Sequence, residues 1–125
     1  MRTDKYPMNL ESFREYCLLK KGVAEELPFG PDTLVFKVMG KMFALTGLDS
    51  ESFSISIKNL PEINEELRAE YDCVKGAYHM NKRHWNSVHI NGTVKDAILK
   101  EWIDQSYELV VKSLTKKTQE ELSKQ

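Results

Sequence analysis

The run Ser52-Phe53-Ser54-Ile55-Ser56-Ile57-Lys58 alternates polar and apolar residues without a break. In an extended chain successive side chains point to opposite faces, so Phe53, Ile55 and Ile57 share one side and the serines and Lys58 the other. Such a strand needs cover on one face and water on the other. Parallel sheets are covered on both faces, so the pattern asks for an antiparallel sheet with helices packed against a single side. The rest of the chain must supply pairing strands and a layer of amphipathic helix.

Leu10, Phe13 and Cys17 fall on one helical face, with Asn9 as a cap and Lys20-Lys21-Gly22 as a stop. Glu25–Asp32, EELPFGPD, carries two prolines and a glycine and reads as a loop or a bent edge segment. Thr33–Val38 and Lys41–Gly47 are strand-like and join across Met39-Gly40 as a hairpin. Pro61 opens a second helix carrying Ile63, Leu67 and Tyr71. The segment WNSVHI, Trp85–Ile90, runs into the turn pair Asn91-Gly92 and reads as a fourth strand. From Lys95 to about Leu114 a long helix shows a broad apolar stripe, with Thr93 and Asp96 as its capping signal. The first eight residues read as a lead-in, and the polar residues after Leu114 as a tail that frays. The expected order is α-β-β-β-α-β-α. It makes one α+β domain over residues 1–125, with a core at about 9–114: a two-layer sandwich, helices on one face of an antiparallel sheet.

A chain of 125 residues is long enough to bury a core without staples. Its formal charge is −1, so no global field draws it to nucleic acid or anionic lipid, and any such contact has to come from a local patch. Cys17 and Cys73 show no metal-ligand or redox spacing and read as two idle thiols in a reducing cytosol. The N-terminus lacks an apolar signal region and no run is long enough to span a bilayer, which points to a cytoplasmic protein with no membrane partner.

The chemistry is concentrated in AYHMNKRHWNSVHI, Ala77–Ile90, which holds all three histidines, Trp85 and the pair Lys82-Arg83. His79, His84 and His89 are spaced by five, about 140° apart on a helix and on opposite faces along a strand, with no nearby acid or thiol. No metal and no cofactor are expected. No nucleophile motif, zinc-hydrolase motif or phosphate-cradling loop accompanies the imidazoles, so no catalytic residue is assigned and the chain is not expected to be an enzyme. Two readings stay open. Trp85 beside His84, with the turn-formers Asn81 and Asn86, suits a satisfied structural corner. Alternatively, Lys75, Lys82 and Arg83, on a segment without acids, interleave with Tyr78, His79, His84 and Trp85 as a surface that meets phosphates and stacks on bases. Lys58 and the serines of the alternating strand lie on the sheet face that Ser87 and His89 would share.

The string HMNKRHW, His79–Trp85, resembles the MmcQ/YjbR family of small bacterial proteins. Pro28-Phe29-Gly30-Pro31-Asp32, Lys41-Met42-Phe43-Ala44 and Ser106-Tyr107 support the resemblance in the right order, over about Asn9 to Leu114. It implies a CyaY-like (frataxin-like) α+β fold and a DNA-binding role, and it singles out His79, Asn81, Lys82, His84 and Trp85. DNA is thus the partner it implies. The alternative is a protein- or small-molecule-binding module that uses the His/Asn/Trp corner as a pocket. Frataxin-like iron binding is not expected, because the first helix offers only Glu11 and Glu15, interrupted by Arg14.

Overall fold

A computed structural model describes residues 7–77 and 80–125. In chain order the elements are α1 (Leu10–Leu18), β1 (Val23–Glu26), β2 (Thr33–Val38), β3 (Lys41–Gly47), β4 (Ser54–Lys58), α2 (Pro61–Glu70), β5 (Val74–Gly76), β6 (Trp85–His89), α3 (Asp96–Lys112) and α4 (Lys116–Ser123). The strands form one antiparallel sheet in the order β1-β2-β3-β4-β6-β5. The α+β class with helices against one face is as expected, but among the described residues the sheet has six strands rather than four. The additions are the two edges. β1 and β5 are short, and their strand character comes from pairing with β2 and β6.

The alternating run behaves as its pattern requires at Ile55 and Ile57, which are buried against the helices. Ser54, Ser56 and Lys58, expected in solvent, are half-buried instead, because the opposite face of the sheet is partly overhung. The β2–β3 hairpin closes through Met39 and Gly40 at φ 48° and 88°, the two positive angles of a twist-matched tight turn. Only glycine takes the second without strain.

The core lies between the sheet and the helices. Phe13 of α1 meets Phe36 edge-on at 5.4 Å, and Phe43 of β3 meets Tyr107 of α3 in the same way at 5.4 Å. Cys17 is fully buried there and packs as a small hydrophobe. α1 starts at a reciprocal cap in which the Ser12 N–H donates to Asn9 Oδ1 (2.9 Å) and the Asn9 N–H to Ser12 Oγ (3.0 Å). α3 lacks the Thr93 cap expected for it. Its N-cap is Lys95 with no side-chain bond, and Asp96 instead accepts from the Met8 N–H (2.9 Å), tying the lead-in to α3.

The tail is a further departure from expectation. Thr115 caps α4 by accepting from the Thr118 N–H (3.1 Å), and Leu122 inserts into the core. A Cβ on Gly22 would sit 2.5 Å from Leu122 Cδ1, so a side chain at position 22 would push the leucine tip aside, and the positive φ of 72° at Gly22 favours glycine there. A single leucine in a run of lysines and glutamates gives no periodicity from which to read this helix.

Candidate nucleic-acid interface

The corner carrying HMNKRHW is built from its backbone outward. Asn81 opens the turn: its Oδ1 accepts from the Arg83 N–H (2.9 Å), and its carbonyl accepts from the N–H groups of His84 (3.1 Å) and Trp85 (2.9 Å). The next three carbonyls are then taken in order. Arg68 Nη1 donates to Lys82 O (2.9 Å), Asn64 Nδ2 to Arg83 O (3.0 Å), and the Asn59 N–H to His84 O (3.0 Å). Asn64 is 1% exposed and Asn86 2%. Asn86 Nδ2 donates to Asn64 O (3.2 Å) while its Oδ1 accepts from Arg68 (2.7 Å), which closes the network. Among the described residues no buried side-chain nitrogen or oxygen lacks a partner. This is a satisfied polar corner, with α2 holding the turn against β6.

Such a corner turns its carbonyls inward and leaves cationic side chains outside. Lys75, Lys82 and Arg83 are exposed, as is Asn81; His84 and Lys58 are half-buried. The Lys82 stem lies over Gly76, where a Cβ would come within 3.3 Å of it. Tyr78 and His79 lie outside the described residues. Trp85 requires a correction: at 7% exposure it is packed, and it cannot stack on a base in solution. Its neighbours in the strand explain why. Val88 packs in the main core, so alternation puts Trp85, Ser87 and His89 on the sheet face away from the helices. There Trp85 pairs with Lys58 of β4, and its carbonyl accepts from the N–H of buried Ala77.

That open face carries an ordered row that no single stretch of sequence reveals. Successive strand partners run Glu26, Val35, Leu45, Ser56, Ser87, Lys75 across all six strands. Acid gives way to aliphatic, then hydroxyl, then cation. The acid is neutralised in place by Lys37, 2.9 Å away. Over the middle of the row lies a cleft of about 500 Å³ lined by Phe29, Thr33, Leu45, Ser56, Met80, Ser87 and Ala77. Phe29, from the proline-rich loop, is 63% exposed and supplies the aromatic surface that Trp85 does not. Among the described residues Lys75 makes no ion pair, although it borders a recess with Glu70 and Asp72.

No group of three or more His, Cys, Asp and Glu is placed to hold a metal among the described residues. Cys17 and Cys73 are both free and buried, and burial pushes both thiols up from their ordinary pKa, away from nucleophilic thiolate. Among the described residues no helix is long and apolar enough to cross a membrane.

The other residues that carry the resemblance are also placed by this fold. Ser106 Oγ donates to Phe43 O (2.5 Å) and accepts from the Lys58 N–H (2.8 Å), clamping α3 to β3 and β4. The Tyr107 hydroxyl donates to Lys21 O (2.7 Å). A family model described as YjbR matches residues 18–109. The chain belongs to the YjbR family. Its relatives include the uncharacterized protein YbdF of Escherichia coli O157:H7, 38% identical over 95 residues, covering 74% of this chain and 75% of that one. The uncharacterized protein YjbR of Escherichia coli K12 is 28% identical over 107 residues, covering 86% and 91%. Among solved structures, Deinococcus radiodurans protein DR2400, with domain DUF419, is 37% identical at TM-score 0.85, covering 92% of this chain and 88% of that one. A Pseudomonas syringae protein is 29% identical at TM-score 0.71, covering 82% and 98%. The fold of this YjbR chain is therefore the one its relatives adopt.

Proposed function

We propose that this YjbR chain is a DNA-binding protein without catalytic activity, with Lys75, Lys82 and Arg83 contacting phosphates. The observation that carries the reading is the construction of the corner. Hydrogen bonds to Asn59, Asn64 and Arg68 fix the turn, so its exposed cations are presented from a rigid support. Between Val74 and Lys95 there is no acid to oppose them. Glu70 and Asp72 beside Lys75, and the formal charge of −1, keep the affinity low. Three neutralised phosphates give a log–log salt slope of about −2.7, a loss of about 40-fold between 50 and 200 mM salt. Fluorescence anisotropy with a labelled oligonucleotide at those two concentrations tests this. Changing Lys82 and Arg83 together to Ala should remove about two units of slope. No binding at the lower salt concentration refutes the reading.

A second reading, small-molecule binding, is favoured by the open-face cleft, whose volume of about 500 Å³ suits a ligand. It places the pocket beside the His/Asn/Trp corner rather than in it, because the corner itself is filled by its own hydrogen bonds.

A further inference from the structure

We propose that the open-face cleft takes one nucleotide unit, with the base against Phe29 and Leu45, the sugar over Ser56 and Ser87, and the phosphate beyond the cleft's edge, toward Lys75 of the neighbouring recess. The inference rests on the nucleic-acid reading for its polymeric form, but its geometry is independent of Lys82 and Arg83.

The argument is the order of the row. Leu45, Ser56, Ser87 and Lys75 are direct partners on adjacent strands, so they lie in line across the sheet. With strands about 4.8 Å apart, the line from Leu45 to Lys75 is about 14 Å at the backbone, and the flexible lysine stem can reach back along it. An aliphatic floor under an exposed aromatic accepts a flat ring. Two opposed hydroxyls donate to and accept from a polar, uncharged middle. A lysine without an ion pair among the described residues ends the line at an anion. Apolar ring, polar spacer and anion, in that order, are the parts of a nucleotide.

The polarity of the row also fixes the direction. An anion at the other end would meet Glu26, which Lys37 already occupies, whereas at this end the exposed Lys75 offers a cation, with Glu70 and Asp72 in its recess holding the affinity for a phosphate down. The recess excludes a paired base, because a stacked duplex presents edges and phosphates and would have to flip a nucleotide out to fill it. The polymer that suits the cleft is therefore single-stranded, with the exposed aromatic as its stacking surface.

Two sources offer this chemistry, a free nucleotide and a nucleotide within a strand. The test titrates the full chain with thymidine, thymidine 5′-monophosphate, a twelve-residue oligothymidylate and a mixed-sequence duplex of the same length. NMR shifts follow the small probes and anisotropy the polymers. Phe29→Ala, at an exposed position, Ser87→Leu, which fills the cleft, and Lys75→Ala are compared with the parent, after their melting temperatures show them folded. The expected result is monophosphate bound more tightly than nucleoside, and single strand more tightly than duplex. Phe29→Ala should lose about five-fold or more, the low end for a lost base–aromatic stack. Lys75→Ala should abolish the preference for monophosphate over nucleoside.

Duplex binding that equals single-strand binding and ignores Phe29→Ala and Ser87→Leu overturns the cleft and leaves the corner reading standing. Monophosphate binding without polymer binding upholds the cleft and overturns the corner reading. No binding of any probe overturns both.

Discussion

Asn64 makes the corner's construction measurable. It is 1% exposed, and its Nδ2 donates to Asn59 O at 3.2 Å and to Arg83 O at 3.0 Å. Asn64→Ala removes both bonds and leaves two carbonyls without that donor, the Asn59 one buried and the Arg83 one partly so. Each unsatisfied group costs about 1–3 kcal/mol, and the pair is offset by about half a kcal/mol of helix propensity gained at an α2 position, for a net loss of about 1.5–5.5 kcal/mol. With an unfolding entropy of about 2.1 cal/mol/K per residue over the whole chain, a loss of about 3 kcal/mol lowers the melting temperature by about 11 °C. Differential scanning calorimetry reads this directly. A companion variant separates hydrogen bonding from volume. Asn64→Asp preserves the shape but cannot donate when ionised, so it should destabilise at least as much as alanine. If Asp is tolerated, or if Ala shifts the melting temperature by less than about 3 °C, the corner is not held by these bonds and its rigidity is lost as an argument.

Trp85→Ala should cost about 3–5 kcal/mol in denaturant unfolding, the value for a packed tryptophan; a loss of DNA affinity with no change in stability would show that Trp85 is a surface platform after all. Tyr16 gives a pH prediction. Burial, and then the hydrogen bond its hydroxyl donates to Asp104 (2.7 Å), push its pKa from the ordinary 10.0 up to about 12. A phenol raised in the folded state contributes stability that is complete below pH 10 and is lost as pH rises to about 12, because the unfolded chain gives up its proton first. Urea unfolding at pH 9 and 11 should show that fall, and Tyr16→Phe should reduce it without abolishing it, since burial raises Tyr107 as well. An unchanged slope in Tyr16→Phe removes Tyr16 from the account.

What the sequence made legible follows from where each element gets its stability. β4, the hairpin and the three larger helices carry their own patterns, because each buries an apolar side that has to recur at the element's period. β1 and β5 have no such pattern. Val23-Ala24-Glu25-Glu26 includes two acids, one held by Arg14 of α1 at 2.5 Å, and Val74-Lys75-Gly76 is too short to show alternation. Both are strands because a neighbouring strand offers hydrogen bonds, which is information held in the fold. Trp85 illustrates the same limit at the site. It points away from the helices, but whether that face is wet is set by tertiary packing, which the pattern of the strand does not carry. The cleft was illegible for the same reason: Phe29, Leu45, Ser56, Met80 and Ser87 come from five separate segments.

In the two proposals the corner offers cations to a phosphate backbone and the cleft takes a single nucleotide, so the recognisable string specifies only part of the ligand. Nearly every described position in HMNKRHW has a local task. Asn81 folds the turn, the carbonyls of Lys82, Arg83 and His84 are spoken for, and Trp85 is packed. Residues constrained so tightly by their own backbone have only their side-chain tips left for a partner. The open-face row carries the opposite arrangement. Ser56 and Ser87 have their backbones paired within the sheet, and their hydroxyls face the cleft rather than stabilising a turn. Their substitution should therefore be cheap in stability and costly in binding, while substitution of Asn64 or Trp85 should be the reverse. A chain built this way can keep one corner and exchange the chemistry beside it.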